Sequence, residues 1–271
     1  MNELIEKAFK EDIPNGDATT DNLNLKERFG LCHLVAKQDL VLSGRDLFTT
    51  CFHYREPNSQ VHWHFNDSDN VLKGQTVAQI EGNLIQLIQA ERVALNFLGF
   101  LSGIATETQK FVRACQGTQT KILDTRKTLP LYRELSKRSV LHGGGHNHRL
   151  HLSESVLIKE NHISVAGGLR QAVEEIRQKT RLPIEVEVQN LEQAQEAVRL
   201  QVNRIMLDNM NLETMAECLK NIPENIETEA SGNMTLDRIP LVAALGVTYI
   251  SVGALTHSVQ NADFSLLVDW N

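Results

Sequence analysis

The stretch IEVEVQNLEQAQEAVRLQVNRIMLDNMN, residues 184–211, decides the fold. It opens on five residues that alternate apolar and acidic. A helix-period segment follows from Leu191 to Leu200, and a second short strand runs from Arg204 to Asp208. Asn190 and Asn211 stand where helix N-caps belong. Working outward, the same rhythm recurs. Expected strands are 121–126, 155–159, 226–230 and 248–252; expected helices are 168–180, 212–222 and 236–245, the last capped by Thr235. Strands spaced by one helix each predict parallel βα units, and the pattern favours a barrel over an open sheet. Pro240 inside the last helix predicts a kink or a fresh start.

Upstream of Gly117 the pattern differs. A short helix is expected over residues 2–10, strands over 30–37, 60–65 and 76–81, and a helix within 39–54. Asn83 caps a helical stretch, with Gly99 and Gly103 interrupting it before a second helix over 104–115. This sets a boundary near Gly103, giving an N-terminal α/β domain over 1–103 and a barrel over 104–271. The alternating tail 262–271 is expected to return to the first domain as a strand.

The 271 residues carry a net charge of −7, a pI near 5.8 and no apolar run approaching about 18 residues. These values argue against a nucleic-acid or membrane surface. Four widely spaced cysteines and an acidic, amphipathic N-terminus lead to the expectation of a reduced, cytoplasmic protein with no secretion signal.

Chemistry concentrates at strand ends. Alternation puts Glu185 and Glu187 on one strand face, Asp208 on another, and Glu227, Glu229 and Ser231 on a third. Acids aimed at a barrel interior need cations or a metal. Arg126, Lys127, Arg149 and Lys159 fall at neighbouring ends. Between Lys121 and His151 seven Lys/Arg face two acids, a basic island in an acidic chain. Together these imply opposed charges around one pocket at the C-terminal mouth of the barrel. A purely structural ion-pair network is the competing reading. Ser231-Gly232-Asn233 and Val252-Gly253-Ala254, with His257 close behind, are strand-to-helix joints suited to phosphate. His146 and His148 form an HxH pair that could bind zinc, and His151 follows. Arg149 beside them and the lack of a carboxylate in GGGHNHRLH favour an anion instead. Arg92, by pattern alone, reads as a surface arginine.

Several long segments then meet a known family. EDIPNGDATT (11–20), ERVALNFLGFLSGIAT (91–106), ILDTRKTLPLYR (122–133), HGGGHNHRLHLSESVLIKENHI (142–163), IMLDNM (205–210), EASGNMTLDRI (229–239) and YISVGALTHS (249–258) resemble the decarboxylating quinolinate phosphoribosyltransferases. The resemblance implies an N-terminal α/β sandwich and an incomplete, open α/β barrel of six or seven strands. It also implies a homodimer, Mg2+, and transfer of phosphoribosyl from phosphoribosyl pyrophosphate to quinolinate in NAD biosynthesis. Carried onto this chain, Thr125, Arg126, His148, Arg149 and Lys159 would meet quinolinate, joined by Arg92 from the partner subunit. Lys127 would face pyrophosphate. Glu187 and Asp208 would hold ribose hydroxyls and magnesium. Ser231, Gly232, Asn233, Val252, Gly253, Ala254 and His257 would surround the 5′-phosphate. The chain departs from the family pattern at Leu129-Pro130-Leu131-Tyr132, where Thr-Pro-Gly-x is expected, at His142 in place of Cys, and at Asn233 in place of Gly. None of these removes an assigned charge. A metal-dependent barrel hydrolase and a non-catalytic phospho-ligand sensor are the alternatives.

Overall fold

The computed structural model describes residues 2–23 and 28–269, so the last two residues of the expected tail strand, Trp270 and Asn271, lie outside it. The chain divides into two compact units. One comprises Met1–Gln109, Arg138–Gly144 and Val259–Asn271; the other comprises Lys110–Lys137 and Gly145–Ser258.

In the first unit the order is α1 (Asn2–Asp12), β1 (Phe29–Ala36), β2 (Leu40–Val41), α2 (Arg45–Arg55), β3 (Gln60–Trp63), β4 (Asn70–Val71), β5 (Thr76–Asn83) and α3 (Leu84–Ala114). Strands β1, β3 and β5 join a terminal strand, β12 (Phe264–Asp269), in an antiparallel sheet of order β12-β1-β5-β3. Along β1, Cys32, Leu34 and Ala36 are fully buried, the period of a sheet with one face on a core. Phe9 of α1 stacks on Tyr54 of α2 with ring centroids 5.0 Å apart.

Helix α3 corrects two expectations. It runs unbroken for 31 residues, through Gly99 and Gly103. A side chain at 103 would stand 2.2 Å from the Gln260 carbonyl, and one at 99 would stand 2.8 Å from that of Ala262. These glycines therefore admit a crossing segment rather than break the helix. Asn83 caps the helix as expected, its Oδ1 accepting from the Ile85 and Gln86 N–H groups. By length and composition α3 could cross a membrane, with mean hydropathy 1.2 over its most apolar 18 residues, against the expectation that no run comes close. Yet 61% of that window is buried inside the protein.

The second unit holds β6 (Lys121–Leu123), the start of α4 (Arg133–His142), β7 (Val156–Ile158), α5 (Glu160–Ala166), α6 (Leu169–Lys179), β8 (Ile184–Val188), α7 (Leu191–Arg199), β9 (Arg204–Asp208), α8 (Leu212–Asn221), β10 (Glu227–Ser231), α9 (Ile239–Ala243), β11 (Tyr249–Ser251) and α10 (Ala254–His257). Its six strands are parallel, in the order β6-β11-β10-β9-β8-β7. The end strands β6 and β7 do not pair with each other, so the barrel is open. Beyond β6, among the described residues, the sheet gains only an isolated bridge, Leu123 to His146.

Asn190 and Asn211 cap α7 and α8, accepting from the Gln193 and Thr214 N–H groups. Thr235 does not cap a helix. It opens a turn whose carbonyl accepts from the Arg238 and Ile239 N–H groups, and α9 begins only at Ile239. Pro240 thus sits in the first turn, where its missing N–H costs nothing. Helix α4 was not expected from the sequence. Its ten residues, RELSKRSVLH, carry too many charges for a legible apolar stripe.

Candidate active site

Register stacks the inward residues of the barrel in layers. Glu185 on β8 pairs with Arg204 on β9, which pairs with Glu227 on β10. One step up, Glu187, Met206 and Glu229 align. At the top Asp208 pairs with Ser231. The alternate residues Val186, Val188, Ile205, Leu207 and Ala230 are buried on the other sheet face.

A cavity of about 580 Å³ occupies the C-terminal end of these strands. Thr125, Arg126 and Lys127 enter it after β6, and His148 and Arg149 enter from the segment before β7. Lys159 follows β7, Glu187 and Asp208 lie on β8 and β9, and Ser231, Gly232 and Asn233 close the ring after β10. Val252, Gly253, Ala254 and His257 do not line it directly. Ser251 does, and a side chain added at Gly253 would meet both His257 and Lys127. Arg92 belongs to the other unit, where it is exposed and 3.9 Å from Glu91.

The cations differ in how they are held. Lys159 pairs with Glu187. Arg149 Nη1 donates to the Ser155 carbonyl at 2.7 Å. The Nε–H groups of Arg126 and Arg149 are buried and meet no acceptor among the described residues. Burial, and then the neighbouring Arg126, push the Arg149 guanidinium below its ordinary pKa. Two adjacent guanidiniums with unpartnered buried donors suit an anion bound between them.

Part of the basic island has another purpose. Lys137 is 2% exposed and Asp124 is 0% exposed, and the two form a buried ion pair. Asp124 also accepts from the His148 N–H at 2.9 Å, and Lys137 donates to the His148 carbonyl at 2.7 Å. Lys137 is therefore structural, against its reading as part of an anion site.

The histidines separate. His151 lies 3.6 Å from Glu154. Among the described residues one group has three possible metal donors within 4.8 Å of one another: His148, Glu185 and Glu229; His146 is not in it. Burial pushes the His148 pKa down, favouring the neutral ring. Its Nδ1 accepts from the Arg149 backbone N–H at 2.8 Å, so the ring proton sits on Nε2. A protonated Nε2 cannot ligate a metal. Glu229, fully buried, has its pKa pushed up to about 7 by burial and then by the Glu185 carboxylate.

Two further contributors were not singled out in the sequence. Asn209 lines the cavity, donates to Asp208 Oδ2 at 2.7 Å, and has φ of 53°. Gly232 has φ of 91°, and a side chain there would stand 2.2 Å from Asn209 Oδ1. Arg238 donates to the carbonyls of Gly232 and Met210, tying the loop after β10 to the loop after β9. IMLDNM contains Asn209, but its backbone conformation has no signature in that segment.

An open parallel barrel whose strand ends gather guanidiniums, lysines, two carboxylates and a glycine joint has the form of an enzyme for small, multiply charged anions. The comparisons agree. Residues 104–267 match the quinolinate phosphoribosyl transferase C-terminal domain, and residues 17–102 match the N-terminal domain of the same family. The chain belongs to the quinolinate phosphoribosyl transferase family. It is 39% identical over 268 residues to a probable nicotinate-nucleotide pyrophosphorylase [carboxylating] of Bacillus subtilis, covering 98% of this chain and 92% of that one. It is 38% identical over 290 residues to the mitochondrial quinolinate phosphoribosyltransferase [decarboxylating] 2b of Nicotiana tabacum, covering 99% and 82%. Among solved structures, NadC from Streptococcus pyogenes superposes with a TM-score of 0.94 at 36% identity, covering 98% of this chain and 94% of that one.

Proposed function

We propose that this protein transfers a phosphoribosyl group from phosphoribosyl pyrophosphate to quinolinate and releases carbon dioxide, forming nicotinate mononucleotide and pyrophosphate for NAD biosynthesis. The observation that carries the reading is the pair of buried, unpartnered Nε–H groups of Arg126 and Arg149 in one cavity. A dicarboxylate supplies acceptors for both, and guanidinium grips carboxylate with two parallel bonds. Lys159 adds a third cation, and Thr125 contributes to the same wall.

The ring nitrogen attacks the anomeric carbon as the bond to pyrophosphate breaks. Lys127 meets the charge that develops on the leaving oxygens. Glu187 and Asp208 face the ribose hydroxyls and favour positive charge on the sugar. Ser231-Gly232-Asn233 and Val252-Gly253-Ala254, with His257 beside Lys127, cradle the 5′-phosphate. Once glycosylated, the ring nitrogen is cationic. The carbon–carboxylate bond then breaks with its electron pair left on the adjacent ring carbon, and solvent returns a proton there. Position and charge do the work, and no protein nucleophile is needed.

Glu187 and Asp208 also fit magnesium, as hard oxygen donors at neighbouring strand ends lining one cavity. When bound, the ion neutralises charge on the pyrophosphate. We read the enzyme as a cytoplasmic homodimer in which the partner contributes Arg92. Four free, buried cysteines accord with a reducing setting. Mixing inactive Arg92→Ala and Lys159→Ala chains should restore activity if Arg92 acts in trans.

Quinolinate and nicotinate should each be supplied with phosphoribosyl pyrophosphate and Mg2+, following mononucleotide and carbon dioxide. Quinolinate turnover with equal amounts of both products is expected. Turnover of nicotinate without quinolinate would refute the assignment.

A further inference from the structure

The loops that follow β9 and β10 both leave their strands through left-handed backbone. Asn209 has φ of 53°, and Gly232 and Asn233 have φ of 91° and 49°. That region suits glycine and, among residues with a side chain, asparagine. Such conformations persist where the surrounding structure holds them. Part of the hold is local. The Asn209 N–H donates to the Ser231 carbonyl at 3.0 Å, which carries the pairing of Asp208 with Ser231 one step beyond the strands. Asn233 Nδ2 donates to Asn209 Oδ1 at 3.2 Å. Both asparagines are exposed, however, so water competes for that side-chain bond.

The remaining hold comes from Arg238, half-buried at the start of α9. Its Nη1 donates to the Gly232 carbonyl at 3.3 Å and its Nη2 to the Met210 carbonyl at 2.5 Å. One planar group thus bonds left-handed Gly232 itself and the residue that follows left-handed Asn209. Both acceptors are main-chain oxygens, so what the guanidinium fixes is the separation of two backbones. Its donors form a rigid fork, which suits it to that task better than a flexible ammonium.

We propose that Arg238 is a positioning residue that locks the loops after β9 and β10 into one unit, and so sets the distance between the ribose contact at Asp208 and the phosphate contact at Gly232-Asn233. The proposal rests on the reading that these loops hold the two ends of a ribose 5-phosphate. Within such a ligand the hydroxyls and the phosphate are joined covalently, so their spacing varies little. Both contacts form at full strength only when the protein holds the matching spacing before the ligand arrives. Quinolinate, on the opposite wall with Arg126, Arg149 and Lys159, makes no such demand. Arg238 touches neither substrate and acts through the Met210 and Gly232 carbonyls.

Calorimetry on full-length protein, with phosphoribosyl pyrophosphate plus Mg2+ and separately with quinolinate, tests the consequence. Arg238→Ala should weaken phosphoribosyl pyrophosphate binding about tenfold or more while leaving quinolinate binding within about twofold. Unchanged phosphoribosyl pyrophosphate affinity, or equal loss of both substrates, would refute the positioning role. Arg238→Lys separates the fork from its charge. It should remain weakened about fivefold or more for phosphoribosyl pyrophosphate. Affinity restored to within about twofold of the original chain would show that positive charge alone matters, and would overturn the proposal. A third measurement needs no ligand. The Asn209 amide proton, bonded to the Ser231 carbonyl, should exchange with deuterium about tenfold faster in Arg238→Ala, because the two loops part more often. Unchanged protection would refute the lock. Failure of the unaltered protein to bind phosphoribosyl pyrophosphate would instead overturn the functional reading, and the exchange rates would still decide whether Arg238 joins the loops.

Discussion

The two ends of the barrel interior use the same residue types to opposite effect. At the C-terminal mouth, Lys159 pairs with a Glu187 that opens on a cavity, and Arg126 and Arg149 keep unpartnered donors. At the N-terminal end Arg204 is occupied by Glu227, Glu229 and the Tyr249 ring. Asp124 and Lys137, below Arg126, are closed against each other and against the His148 backbone. Charge count does not distinguish these groups. Whether the protein itself completes their coordination does. Completed sets hold the scaffold, and incomplete sets at a cavity wall await a ligand.

The largest expected effect tests a completed set. Lys137→Ala leaves the Asp124 carboxylate buried without its cation, which should cost about 3–5 kcal/mol of stability. Urea unfolding followed by circular dichroism would measure it. A loss under about 1 kcal/mol would mean that the pair behaves like a surface bridge and that the distinction drawn above fails.

Next comes the acid layer. Glu229 has its pKa raised to about 7 by burial, ahead of the Glu185 contribution. A raised carboxyl pKa means that the fold favours the protonated form. Its contribution to stability is therefore fully present below about pH 4.5 and is lost as pH rises through about 7. On the order of 3 kcal/mol should disappear between about pH 5 and 8. Glu229→Gln, which cannot ionise, should flatten that slope. Melting temperatures of both proteins across this range would show it, and parallel curves would contradict the assigned shift.

At the open end the expected loss is of binding, not of fold. Arg149→Ala should weaken quinolinate binding by roughly 1.5–3 kcal/mol, the worth of a charge-assisted hydrogen bond. Phosphoribosyl pyrophosphate binding should change far less. Equal losses for both would move Arg149 out of the carboxylate site.

The sequence made one side of this contrast legible. Alternation in IEVEV and RIMLD, with the end of β10, identified the inward acids, and strand-end position brought Arg126, Arg149 and Lys159 to one mouth. It could not separate Lys137 from Arg126, because a letter carries charge but not solvation, and the partner that buries Lys137 lies 13 residues away. Helix α4 went unrecognised for a related reason: its lysine and arginines hid the turn that aims Lys137 inward. Gly99 and Gly103 misled in the opposite sense. They read as helix breakers, whereas what they accommodate is a chain crossing from residues 260–262. Local pattern reports periodicity well, and long-range approach not at all.

The smallest effect separates support from contact at the mouth itself. Asn211 follows Asp208 by three residues, so it lies near the proposed ribose and magnesium ligands. Yet its side chain is spent on the Thr214 N–H, 2.8 Å away, as the cap of α8. By the distinction drawn here, a side chain whose bonding is complete within the protein supports the site without binding substrate. Asn211→Ala should therefore cost about 1 kcal/mol of stability, the usual worth of an N-cap. Affinity for both substrates should stay within about twofold, a change of less than about 0.5 kcal/mol. Denaturant midpoints and calorimetry on the same preparation give the two numbers together. A variant of unaltered stability that binds phosphoribosyl pyrophosphate tenfold more weakly would show that closeness to Asp208, and not completeness of bonding, decides which residues at this end belong to the substrate.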